Sequence, residues 1–298
     1  MIKRLFKFVE IQTKITSFFT FMLMIGVMIY HNINIDLIKT CVFFLGMFIF
    51  DLTTTAINNT IDSKTNGQDL GFTYTQGKMM CFGLFAISTI LGIALVILTD
   101  WIVLLLGMFC FAVGVLYTYG PVPISRTPLG EFLSGILYGY FIPFILLYIN
   151  IGHDLLSVSV GEIITLNVHT KMFIGFVIAG FIPTLLTANI MLGNNTCDVE
   201  ADVKVNRFTL PFYIGKPNAV ILMRILYALV YVGVIVGVVC GVYHPIVLLT
   251  LATAPVVMKH VNVFKEKMIK RISFVNVIKN FILVMVVLNA LVYLSILL

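Results

Sequence analysis

The sequence predicts an all-α polytopic membrane protein: a bundle of nine transmembrane helices with a cytoplasmic N-terminus. Three observations carry that prediction. Hydrophobic residues make up 60% of the chain against 11% charged, with a mean hydropathy of +1.08. The apolar residues gather into nine runs, each long enough to cross about 30 Å of hydrocarbon. The basic residues concentrate at alternate ends of those runs. A water-soluble globule of 298 residues could not cover its surface with 13 Asp+Glu and 19 Lys+Arg, whereas lipid solvates the outside of membrane helices. Disorder and collagen are excluded by 25 Phe, 14 Met and 12 Tyr against 9 Pro.

The runs are read near Ile15 to Tyr30, Leu37 to Ile57, Met79 to Leu98, Trp101 to Thr118, Leu129 to Ile149, Met172 to Leu192, Ala219 to Val239, Val242 to Met258 and Phe274 to Leu297. No small-residue cleavage site follows the first, so it reads as a retained helix. The closest breaks are at Asp100 and between Val239 and His244, where a single bent span is the competing reading. With the N-terminus inside, 17 of the 19 Lys+Arg fall on the inner side and only Lys39 and Lys171 on the outer, as the positive-inside rule expects. The net charge of +6 is thus an orientation signal, and no nucleic-acid partner is implied. Cys41, Cys81, Cys110, Cys197 and Cys240 show no C-x-x-C spacing and read as buried small hydrophobes. The five histidines read as isolated loop or interface residues. The basic stretch from Lys259 to Arg271 suits anionic lipid or orientation alone.

The pentapeptide NNTID, from Asn58 to Asp62, returns as NNTCD, from Asn194 to Asp198, at an offset of 136 residues. Four predicted helices separate the two, so both sit on the inner face. The chain reads as one intramembrane domain, 1–298, with an internal repeat of helix groups around polar loops 58–78 and 194–217. The first loop offers Asn58, Asn59, Asp62, Asn66 and Asp69. The second offers Asn194, Asn195, Asp198, Glu200, Asp202, Lys204, Asn206 and Arg207. If the helices continue into the loops, Asn58 and Asp62 share a face, as do Asn194, Asp198 and Asp202. Like charges one turn apart repel, and a hard cation between them relieves the repulsion. Carboxylate and amide oxygens are the ligands Mg²⁺ takes, with water and substrate phosphate completing its shell. For any one such loop the competing reading is turn and cap chemistry, Asn66-Gly67 in particular. Lys204 and Arg207 are either positive-inside charges or the cations that hold a diphosphate. Metal ions beside a diphosphate would assist breaking of a carbon–oxygen bond, and an apolar bundle would house an isoprenoid tail.

These residues resemble the UbiA superfamily of intramembrane aromatic prenyltransferases, and within it the branch that acts on 1,4-dihydroxy-2-naphthoate. The family's first motif, N-D-x-x-D-x-x-x-D, is matched at Asn58 and Asp62, with Asn59 and Asn66 where Asp is usual. Gly67 and Asp69 supply the branch's later G-x-D. The second motif, N-N-x-x-D-x-x-x-D followed by G-K-R-T-L, is matched at Asn194, Asn195, Asp198 and Asp202. It continues as Asn206, Arg207, Phe208, Thr209 and Leu210, so that Arg207 stands at the Lys position and Phe208 replaces the Arg. Between the motifs, Tyr117 to Phe132 reads YTYGPVPISRTPLGEF and resembles the branch's Y-x-x-G-P and L-G-E segments.

The resemblance implies a nine-helix bundle in the cell membrane with an active-site cavity at the cytoplasmic side. It implies Mg²⁺, a polyprenyl diphosphate donor and an aromatic acid acceptor such as 1,4-dihydroxy-2-naphthoate, which loses its carboxylate as CO₂ to give demethylmenaquinone. The expected ligand sets are Asn58, Asp62 and Asp69 for one ion and Asn194, Asp198 and Asp202 for the other. Asn59 and Asn195 are secondary ligands or orienters. Lys204 and Arg207 hold diphosphate oxygens. Tyr117, Tyr119 and Arg126 meet the acceptor, with interfacial anchoring the other reading of the tyrosines. Glu131 organises its segment or caps the next helix. The remaining classes are a transporter, which would favour ionisable residues inside the spans, and a non-catalytic assembly factor, suggested by the two absent Asp.

Overall fold

The computed structural model describes residues 2–65, 72–121, 123–270 and 272–298, with the backbone alone for Ile2, Lys3, Asp62, Lys64 and Thr65. The helices are α1 (Ile2–Phe8), α2 (Ile15–Tyr30), α3 (Leu37–Thr65), α4 (Tyr74–Leu98), α5 (Trp101–Thr118), α6 (Gly130–Ile136), α7 (Ile142–Ile151), α8 (Thr170–Val203), α9 (Leu210–Ile214), α10 (Lys216–Val239), α11 (Ala254–Lys267) and α12 (Phe274–Ser295). Among the described residues nine helical stretches are long and apolar enough to cross a membrane, one for each predicted run. The protein is therefore a multi-pass membrane protein. Both doubtful breaks are real. Asp100 caps α5 by accepting from the amides of Ile102 at 2.9 Å and Val103 at 3.3 Å, and Gly241 turns the chain after α10 at φ 72°, where a side chain would be strained.

Three features differ from the sequence reading. The second and sixth spans do not end where their polar motifs begin, because no Gly or Pro interrupts Asn58–Thr65 or Asn194–Val203. Both motifs are the last turns of long helices. An antiparallel hairpin, β1 (Leu156–Val160) and β2 (Ile164–Val168), paired from Leu156↔Val168 to Val160↔Ile164, joins the fifth and sixth spans. The alternation in LSVSV is its signal. None of the five cysteines is fully buried, Cys41 and Cys240 being exposed. A membrane bundle sends small apolar side chains to lipid as readily as to its core.

The chain forms two compact units. The first comprises Met1–Phe18 and Asp36–Ile124. Its core joins Phe8, Val9 and Ala56 with Leu52, Phe72, Met80 and Leu84, and Phe50 stacks on Phe111 at 4.1 Å between centroids. The second comprises Phe19–Ile35 and Ser125–Leu298. Here α6 and α7 are joined by a π turn, Leu137–Phe141. Pro143, which has no N–H to donate, follows directly, and the wide turn absorbs the missing bond. Gly135 lies where a Cβ would meet the Thr184 carbonyl oxygen at 2.7 Å, so this helix and α8 cross with backbones nearly touching, as small residues permit in membrane bundles.

Candidate functional site

The first motif occupies the end of α3, within the first unit. At 100° per residue, Asn58 and Asp62 fall 40° apart around the helix while Asn59 points 100° away from Asn58. Asn59 is buried, and its side-chain amide donates to the Phe8 carbonyl at 2.7 Å and to Glu10 Oε1 at 3.3 Å. Glu10 has a left-handed backbone at φ 46°, which costs a non-glycine residue about 1–2 kcal/mol and marks a position held for a reason. Asn58 is half-buried. The side chain of Asp62, and all of Asn66 and Asp69, lie outside the described residues.

Two turns before Asn58, Asp51 lies inside its span, outside the candidate residues read from the sequence. Lys14 Nζ donates to its Oδ1 at 2.8 Å, to its carbonyl at 2.8 Å and to Thr55 Oγ1 at 2.6 Å. Ser17 donates to Asp51 Oδ2 at 2.7 Å. Lys14 and Asp51 are 4% and 6% exposed, so three donors of an ammonium are used on the spot, as a buried charge requires.

The second motif ends α8 in the second unit. Asn195 is 1% exposed. Its amide donates to Glu131 Oε1 at 2.8 Å, and its oxygen accepts from Arg207 Nη2 at 3.2 Å and Asn194 Nδ2 at 3.4 Å. Arg207 also donates through Nε to the Ser125 carbonyl at 3.0 Å and lies 3.6 Å from Asp202 Oδ2. The chain can double back because Asn206 takes a left-handed backbone at φ 56°, after which the amide of Arg207 returns to the Asp202 carbonyl at 2.9 Å. Arg126 Nη1 donates to the Val205 carbonyl at 3.1 Å, and the Phe208 amide to that of Arg126 at 3.0 Å. Charge-assisted bonds such as Asn195 to Glu131 contribute about 1.5–3 kcal/mol.

Asp198 pairs with Lys270 at 2.6 Å, and Glu200 with Lys216 at 2.6 Å. Lys204 is exposed at the end of α8. Within the second unit the fold thus gathers Asn194, Asn195, Asp198, Asp202, Arg207 and Arg126, together with Glu131. Tyr117 is half-buried on α5 and Tyr119 exposed beyond it, both in the first unit. Sequence reasoning missed Glu10, the Lys14–Asp51 pair and Lys270. The first two carried a signal: Glu10, Lys14 and Ser17 recur at helical spacing in the sequence, and an Asp within an apolar run is a functional position by default. The histidines are less isolated than expected. His260 meets Asn280 Oδ1 at 2.6 Å, and His169 and His244 cap helices by accepting from Met172 and Ile246 amides.

No group of three or more His, Cys, Asp or Glu side chains forms a ready metal cage among the described residues. The donor set of Asn194, Asp198 and Asp202 nevertheless fits Mg²⁺, which is usually held by one or two carboxylates with water and phosphate supplying the rest. Both carboxylates already have cationic neighbours, Lys270 and Arg207.

Comparison with known proteins bears on the family and the fold. Residues 18–274 match the UbiA prenyltransferase family. A 144-residue stretch is 33% identical to a 1,4-dihydroxy-2-naphthoate octaprenyltransferase of Bacillus subtilis (strain 168), covering 48% of this chain and 40% of that enzyme. The chain therefore aligns with less than half the length of this curated relative. Two solved structures share the fold. A UbiA homolog from Aeropyrum pernix K1 gives a TM-score of 0.65 at 15% identity, covering 95% of this chain and 97% of that one. A UbiA homolog from Archaeoglobus fulgidus bound to GPP and Mg²⁺ gives 0.61 at 13%, covering 99% and 100%. With the family matched across most of its length, the chain belongs to the UbiA prenyltransferase family.

Proposed function

We propose that the chain catalyses Mg²⁺-dependent transfer of a polyprenyl group from an allylic diphosphate to an aromatic acid at the cytoplasmic side of the cell membrane. The acceptor favoured by the motif resemblance and by the Bacillus relative is 1,4-dihydroxy-2-naphthoate. The observation that carries the reading is the end of α8: Asp198 and Asp202 one turn apart, with Lys270 2.6 Å from one, Arg207 3.6 Å from the other and Lys204 beside them. Such a group of fixed acids and cations suits a diphosphate with its metal.

Mg²⁺ would supply charge neutralisation on the departing diphosphate. Asn194, Asp198 and Asp202 would hold it there, and Asn58, Asp62 and Asp69 are the proposed ligands of a second ion. Arg207 and Lys204 would bind diphosphate oxygens. The carbon–oxygen bond breaks with its electron pair leaving on the diphosphate, and the ring carbon bearing the carboxylate bonds to the allylic carbon. Loss of CO₂ from that carboxylate leaves its bonding pair on the ring, which regains its aromaticity, and diphosphate departs as the anion. Arg126 is the proposed contact for the acceptor.

One observation favours transport instead: Lys14 and Asp51 are ionisable residues inside candidate spans. Their mutual bonding, which uses three donors of the lysine, suits a fixed tie better than a moving ion. The deciding experiment incubates the purified protein with Mg²⁺, an allylic diphosphate and a panel of aromatic acids, followed by mass spectrometry of the lipid extract. A prenylated, decarboxylated naphthoquinol is expected. Prenylation of other acids alone would overturn the acceptor, and no prenylated product with any acid would overturn the enzyme reading.

A further inference from the structure

The two motifs share more than their sequence. In each, the second asparagine is buried and its side-chain amide donates to a glutamate: Asn59 to Glu10 at 3.3 Å and Asn195 to Glu131 at 2.8 Å. The partners stand 59 − 10 = 49 residues apart in the first unit and 195 − 131 = 64 in the second, the longer interval containing the hairpin. One turn after each glutamate the neighbouring segment still lies against the motif helix. Lys14 reaches Asp51 and Thr55 on α3, and Gly135 meets Thr184 and Ala188 on α8. Glu131 thus heads α6, which runs antiparallel along α8, and Glu10 precedes the short turn Ile11–Lys14, which runs antiparallel along α3.

The geometry points to Glu10 and Glu131 as matched positioning residues. Each carboxylate ties down the second asparagine of its motif and so fixes the roll of α3 or α8, leaving the first asparagine and the aspartate one turn on to be offered to metal and diphosphate. The inference rests on the proposed function for what the site binds. Three features support it. The oxygen of Asn195, which a metal would need, already accepts from Arg207 and Asn194. Glu10 keeps its place despite a left-handed backbone. Asn59 stands where the family motif has Asp; a carboxylate there would face Glu10, whereas an amide donates to it.

The test is Mn²⁺ titration by electron paramagnetic resonance on detergent-purified protein, alongside the Mg²⁺ dependence of diphosphate release. Glu131→Ala and Asn195→Asp should each weaken Mn²⁺ binding by about tenfold, the usual loss when a group orienting a ligand is removed. Glu131→Gln in the Asn195→Asp background should restore binding to within about threefold, since the glutamine amide can then donate to the new carboxylate. Glu10→Ala, Asn59→Asp and the swap Asn59→Asp with Glu10→Gln should behave alike. Should an alanine variant fail to fold, the swaps decide. Asn195→Asp binding Mn²⁺ as tightly as wild type would make the asparagine a direct ligand and overturn the inference, as would swaps that recover nothing. A wild type that binds Mn²⁺ and responds to these variants without releasing diphosphate would overturn the proposed reaction and leave the positioning role standing.

Discussion

In the first unit the segment after the glutamate is tied to its motif helix by charge, and in the second by contact. Lys14, Asp51, Thr55 and Ser17 form a buried polar tie one to two turns below Asn59. Two to three turns below Asn195, Gly135 lets α6 press against the backbone of α8. The chain ends differ as well. Asp202 has Arg207 beside it and Asp198 has Lys270, whereas the residue at the position of Asp202 in the first motif is the neutral Asn66. The same Asn-Asn-Thr-x-Asp sequence is thus presented by two packing solutions, and what persists between them is the glutamate-to-asparagine bond. The lesson is that the clasp is common to both motifs, while the packing around it differs.

Three substitutions would break or sharpen this comparison. Lys14→Met should have the largest effect, about 3–5 kcal/mol of lost stability, because it strands Asp51 in a buried setting. Lys14→Met with Asp51→Leu should recover most of it, and thermal unfolding in detergent measures both. If the double variant is no better than the single, the tie is more than a replaceable strut. Asp198→Ala should next reduce diphosphate release on the order of 10²–10³-fold with the fold intact, the scale expected when a group stabilising a developing charge is removed. Full retention of activity would remove the second motif from the chemistry. Lys270→Gln should have the smallest effect. It releases Asp198 from an ion pair whose lysine is 53% exposed, and such pairs contribute about 0–1 kcal/mol. The Mg²⁺ concentration for half-maximal activity should fall by up to about fivefold. A rise would show that Lys270 binds substrate more than it competes with metal.

The nine spans were legible because hydrocarbon thickness and backbone hydrogen bonding leave a membrane chain few options, and even the breaks at Asp100 and Gly241 had local chemistry to mark them. The motifs were legible because they repeat. Their helical setting was less so, since Asn and Asp suggest turns unless tertiary partners such as Glu10 and Glu131 satisfy them. Lys270 was hidden for a different reason. It lies 72 residues from Asp198, within a basic stretch whose charges orientation alone explains. The hairpin was missed because its apolar alternation sits between two much stronger helical signals.

Release of inorganic diphosphate from an allylic diphosphate, followed for wild type and Asp198→Ala with Mg²⁺ and with the metal chelated, tests the central claim most directly. The account predicts release and prenylated product only for wild type with Mg²⁺. Equal turnover by the variant, or release by wild type that is indifferent to chelation, would contradict it.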